Sequence, residues 1–195
     1  FQTSNMTFPN ATTDHSWYDL FAGSLSIERN SLDYKQYPIS GRKQFLVAQY
    51  VTGTEKYMPS PITDMGSFDR KVHSWLQMKG EWEQYKTISP YFNLGFMSEL
   101  VLSSKNLMNN YTASVLQAPA FTPTPHSQIV FNEAFRANQY VAFGLSPILK
   151  FSKLLHFRLD MYGFAPLYEI KKEEVWNNNT YTAIPYYGKF LHSFK

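Results

Sequence analysis

The chain has 195 residues, enough for one domain or part of one with a sizeable core, and its net charge of +3 is too small and too dispersed to suggest nucleic acid. Aromatic residues make up 17%, including 16 Phe and 14 Tyr, and charged residues only 17%, a balance that disfavours disorder. Cysteine is absent, which rules out a disulfide scaffold, a Cys-based zinc site and a catalytic thiol.

Residues 1–16 are polar and turn-rich. Tyr18 to Arg29 then alternates, with Phe21, Leu25 and Ile27 on one side and Ser24, Ser26 and Glu28 on the other. After a turn punctuated by Pro38 and Gly41, Arg42 to Thr52 is strand-like again, whereas Gly53 to Arg70 reads as a long loop. Two clear period-2 segments follow. In Ser74 to Tyr85, Leu76, Met78 and Trp82 oppose Gln77, Lys79, Glu81 and Glu83. In Tyr91 to Leu102, Phe92, Leu94, Phe96, Leu100 and Leu102 oppose Asn93, Gly95 and Glu99.

Ser103 to Pro125 is irregular, and Ser127 to Phe131 is expected to be a short strand before a loop that holds Arg136. Tyr140 to Ile148 and Leu155 to Phe164 alternate, the second placing His156, Arg158, Asp160 and Tyr162 on one polar face. Glu169 to Asn179 reads as a charged loop and Thr180 to Phe194 as a last strand. No window has helical spacing. The fold class is therefore all-β and antiparallel, a single unit over residues 1–195 with about eight or nine strands.

No stretch approaches the ~18 apolar residues of a membrane-spanning helix, and no signal-peptide order is present. A mean hydropathy of -0.36 is compatible with a membrane barrel, whose strands alternate. The strands read here carry a face crowded with Phe, Leu, Met and Trp. Aromatics such as Trp17, Tyr18, Trp75, Tyr85, Tyr91 and Tyr140 lie at strand ends, as in the girdles of outer-membrane barrels. Patterning alone leaves this reading level with a soluble sandwich or barrel. Four Asn-x-Ser/Thr sequons, at Asn5, Asn10, Asn110 and Asn178, are what chance provides in a chain rich in Asn and Thr.

Leu25-Ser26-Ile27-Glu28-Arg29-Asn30-Ser31-Leu32-Asp33, followed by Pro38 and Gly41, resembles the strand-and-turn unit of the bacterial surface-antigen family, the BamA/TamA-like outer-membrane barrels. Phe135-Arg136-Ala137-Asn138 resembles that family's inward-folded loop motif, with Ala137 in place of glycine and Asn138 in place of an aromatic. Asp160-Met161-Tyr162-Gly163 resembles the strand whose aspartate receives the loop arginine. The wider chain is similar to the barrel that follows patatin-like phospholipase domains in Bacteroidetes-type proteins. No Gly-x-Ser-x-Gly elbow occurs, and the chain ends Ser193-Phe194-Lys195 rather than on an aromatic strand.

The resemblance implies an outer-membrane β-barrel, or a segment of one, lacking its N-terminal domains and last strands. It would act as a membrane anchor or translocation pore in the bacterial outer membrane. Its partners would be outer-membrane lipid and the patatin and periplasmic domains of the same protein. The resemblance also implies a latch, Arg136 paired with Asp160 inside the barrel. Lys79, Glu81, Glu83, Glu99, His156 and Arg158 are expected on the lumen side, where they would set permeation or support the loop; in a soluble sheet they would simply be solvated. Neither catalytic residues nor a cofactor is expected. Glu81 and Glu83 are too ordinary a pair for a glycosidase, and the five scattered histidines lack zinc-ligand spacing. A soluble glycan-binding β-module is the alternative, and a hydrolase with a dispersed site a third reading.

Overall fold

The computed structural model describes residues 15–58, 69–152, 155–177 and 180–191. Nine strands are present among them: β1 His15–Asn30, β2 Gly41–Met58, β3 Asp69–Ser89, β4 Phe92–Ser103, β5 Tyr140–Lys150, β6 His156–Arg158, β7 Met161–Pro166, β8 Tyr168–Asn177 and β9 Thr180–Phe190. One helix, α1, spans Tyr111–Leu116, and a 3-10 turn spans Glu133–Phe135. The first seven strands form one antiparallel sheet in the order β1-β2-β3-β4-β5, with β6 and β7 both pairing β5; β8 and β9 form a separate hairpin. The sheet is open, ending on β1 at one edge and on β6 and β7 at the other.

The first three strands run 16, 18 and 21 residues, well beyond the usual 3–10 of globular proteins. Their turn chemistry is local. Between β1 and β2, Asp33 Oδ1 accepts from the backbone N–H groups of Tyr34, Ile39 and Ser40. Gly41 closes that turn at φ 101, where an added Cβ would meet Ser31 O at 2.2 Å, so only glycine fits.

Register fixes the two faces. Glu28, Phe45, Glu81, Glu99 and Ala142 lie in one cross-strand row, so the even positions of β1 and β5 and the odd positions of β2, β3 and β4 share a face. Over β4 and β5 this face is covered, with Tyr140, Ala142, Ile148 and Val101 showing no exposure at all, whereas on β1 its positions from Ala22 to Asn30 are exposed. The opposite face is open and apolar. Phe21, Leu25, Leu76, Phe96, Leu100 and Phe143 on it are between 40% and 76% exposed. Asp19 is the single acidic residue on the open face of β1–β7 among the described residues, and it sits beside Lys56 at 3.4 Å.

The cover is residues 104–139, the connection from β4 to β5. Phe121 stacks on Phe164 with centroids 6.0 Å apart and meets Tyr140 and Tyr162 edge-on. Met108 packs with Val51 and Trp75 further along the sheet. The base of the loop is stapled by Phe121 N–H to Phe135 O at 2.9 Å and Ala137 N–H to Pro119 O at 3.2 Å.

Four expectations are corrected. α1 is too short to be visible, because its six residues fall well short of the roughly 11-residue window over which a helical period shows; its start is set by Asn110, whose Oδ1 accepts from Thr112 N and Ala113 N. Residues 127–131 are not a strand but turn and loop structure, closed by Thr124 N donating to Ser127 Oγ at 3.0 Å. The charged stretch from Glu169 is strand β8, because its backbone pairs with the aromatic β9. Leu155 to Phe164 is interrupted at Leu159 and Asp160: Leu159 N–H reaches Pro147 O at 3.1 Å, but Pro147 has no N–H to return to the ladder. In addition, β2 runs on to Met58, into the stretch read as loop from Gly53, and the sequons at Asn5, Asn10 and Asn178 lie outside the described residues.

Candidate functional site: a charged chamber on the covered face

Where β2 to β6 present charged residues to the same side, they form a linked network. Lys43 Nζ lies 2.9 Å from Glu81, and Lys79 Nζ bridges Glu81 at 2.8 Å and Glu99 at 3.2 Å. Tyr140 donates its hydroxyl to Glu99 in a short hydrogen bond. Tyr85 donates to Glu83 at 2.7 Å. Glycine makes this packing feasible: a Cβ at Gly95 would lie 2.3 Å from the Tyr85 ring, and one at Gly144 2.7 Å from the Tyr162 ring.

Arg158 ties the network to the sheet's end. Its Nε donates to Asp160 at 2.7 Å, its Nη2 to Tyr85 at 2.9 Å and its Nη1 to Pro38 O at 2.8 Å. The guanidinium also lies 5.1 Å from the Tyr85 ring centroid and 5.7 Å from that of Tyr37. Asp160 is completed by the Ser146 hydroxyl. Between these strands and residues 122–125 of the cover lies a cavity of about 330 Å³. Its wall is mixed in sign, with Lys43, Lys79 and Arg158 facing Glu81, Glu83 and Glu99.

Thus Lys79, Glu81, Glu83, Glu99 and Arg158 are brought together as the alternation required. His156 is not; it is exposed and stands apart at the end of β6. The Arg136–Asp160 pair is also not formed. Arg136 Nη1 donates to Leu116 O at 3.0 Å and Ala118 O at 3.1 Å, and its guanidinium lies 4.8 Å from the Phe131 ring centroid. The physical reason is competition on both sides. The last carbonyl of α1, Leu116 O, and that of Ala118 just past the helix take Arg136, while Asp160 is held by Arg158, two residues away on the same face.

A second polar cluster escaped the sequence. Glu55 and His73, with side chains 0% and 3% exposed, meet at 2.8 Å. Tyr18 donates to Glu55 at 3.2 Å, and the Asn109 N–H reaches the same carboxylate at 3.2 Å, tying β1, β2 and β3 to the cover. Nearby, Lys105 donates to Gln117 O at 2.8 Å with its ammonium 4.8 Å from the Trp75 ring centroid. Burial pushes the Lys105 amine down to about 8, opposed only in part by Glu55. The signal for this cluster was the alternation Val51, Gly53, Glu55 continuing past the expected end of β2.

Among the described residues no group of three or more His, Asp or Glu side chains is placed to hold a metal ion, and no helix is long and apolar enough to cross a membrane. Comparison of the chain with protein-family models, with curated proteins and with solved structures finds no match.

Proposed function

We propose that this chain is an outer-membrane β-barrel segment, with residues 104–139 as an inward-folded plug, serving as a membrane anchor. The observation that carries this reading is the polarity of the sheet. Its exposed side is a band of Phe, Leu, Met and Trp, and its charged side is the one that is covered across β3 to β5. A soluble antiparallel sheet puts those faces the other way round, because an exposed apolar face costs about 25 cal/mol per Å². In lipid that face is at home, and charge belongs in the lumen.

The plug and the linked charges favour an anchor over an open pore. The chamber's polar groups are largely committed to one another rather than to an aqueous path. On the same reading the barrel is of the BamA-like kind and tethers a patatin-like lipid hydrolase. An open seven-stranded sheet has two unpaired edges, which lipid does not tolerate, so the working barrel closes with strands beyond those of this sheet.

The test is extraction and gel mobility. The full chain should partition into detergent micelles rather than buffer, and the unboiled folded protein should migrate faster than the boiled one. Free solubility as a monodisperse protein without detergent would contradict the proposal and favour a soluble β-module.

A further inference from the structure

The open face is not uniformly smooth. One cross-strand row on it reads Ile27, Leu46, Gly80, Leu100, and Gly80 is the gap in that row. An added Cβ at Gly80 would find only Leu46 Cδ1, at 3.8 Å, so the missing side chain leaves room rather than relieving a clash. Beside this gap lies a shallow groove of about 650 Å³ whose lining includes Ile27, Arg29, Leu46, Trp82 and Glu81, the last with its carboxylate held by Lys43 and Lys79. Ile27, Leu46 and Trp82 are 67%, 49% and 38% exposed.

The groove's charged end is built by register. Arg29 stands opposite Gln44, and Arg42 is two residues further along β2 on the same open face, a diagonal cross-strand neighbour within reach of long side chains. Both arginines are exposed, and neither has an ion-pair partner among the described residues. The one acidic residue of this face, Asp19, lies toward the other end of β1. Two cations stand over an apolar channel at the strand ends that carry the tight turn at Pro90 and Tyr91. In outer-membrane barrels the short turns face the periplasm, so this end meets the phospholipid leaflet.

From this arrangement we infer a site for an anionic phospholipid: its phosphate lies between Arg29 and Arg42, and one acyl chain runs along Ile27, Leu46 and Trp82 over Gly80. Planar guanidinium forks match phosphate oxygens, and each cation near an anionic lipid surface adds about fivefold in affinity. The inference rests on the membrane reading of this face and deepens it.

The test uses the full chain in phosphatidylcholine vesicles, read by quenching of the Trp82 fluorescence with brominated lipids; a Trp82→Phe control subtracts the other tryptophans. Brominated phosphatidylcholine alone should quench Trp82, and its failure to do so would overturn the membrane reading together with the site. Given that quenching, brominated phosphatidylglycerol at low mole fraction should quench roughly 25-fold more effectively per molecule than brominated phosphatidylcholine, about fivefold for each of the two cations. An Arg29→Gln/Arg42→Gln variant should lose that preference while keeping the phosphatidylcholine signal, and Gly80→Phe, which fills the groove, should lose it with both arginines in place. Inorganic phosphate should not compete, since the acyl chain supplies much of the binding. Equal quenching by the two lipids in the wild type, or a preference untouched by either variant, would overturn the site and leave the membrane reading standing.

Discussion

Arg158 is the residue on which the covered face turns. It satisfies Asp160, Tyr85 and the Pro38 carbonyl at once, so its loss leaves a half-buried carboxylate without its cation. Arg158→Ala should cost about 3 kcal/mol of folding stability in detergent. Arg136→Ala removes two hydrogen bonds, to Leu116 O at the end of α1 and to Ala118 O beyond it, and should cost about 1 kcal/mol. Denaturant titration of both variants ranks them; a larger loss at Arg136 would restore the latch that the resemblance implied.

Lys105 gives a pH signature at the same scale. Its amine sits at about 8 in the fold against 10.5 when exposed, so between those values the unfolded chain binds the extra proton. Stability should therefore rise from pH 8 toward 10.5, and below pH 8 the penalty for the buried charge is fully present. Lys105→Met should abolish that rise, measured as the wild-type minus variant difference in unfolding free energy across the window. A difference flat with pH would contradict the burial argument.

Element by element, the regular strands were legible and their interruptions were not. Period 2 in Ser74 to Tyr85 and Tyr91 to Leu102 identified both faces of β3 and β4, because side chains alternate wherever pairing is unbroken. The break at Asp160 depends on Pro147, which acts across the sheet rather than along the strand. α1 depends on one cap and on packing of Val115 and Ala118 against Ile170, a partner distant in sequence. The charged chamber could be read from alternation, whereas the partners of Arg136 and Asp160 could not, since each is chosen by competition among groups that only the fold assembles.

The cover is an element whose anchoring can be tested. Phe121 contributes its ring to the cluster of Tyr140, Phe164 and Ala142, and Phe121→Ala should cost about 3–5 kcal/mol. Asn110→Ala, which removes the cap of α1, should cost about 1 kcal/mol. If the cover were an unattached loop, both changes would leave the unfolding midpoint in place and proteolysis between 117 and 132 unchanged; the anchored cover instead predicts faster cleavage in Phe121→Ala.

In the proposed barrel, one side of a single sheet meets lipid and the other faces the lumen. The absence of cysteine makes that arrangement clean to test, because any introduced thiol is unique. Single cysteines substituted in turn from Leu94 to Leu102 along β4, each carrying a nitroxide, report collision with oxygen, which concentrates in lipid, and with a water-soluble nickel chelate. In reconstituted bilayers the even positions, Phe96, Ser98 and Leu100 among them, should show high oxygen and low nickel accessibility. The odd positions from Gly95 to Val101 should be shielded from oxygen. An alternation with nickel high on the even positions, or no alternation at all, would contradict a lipid-facing apolar sheet.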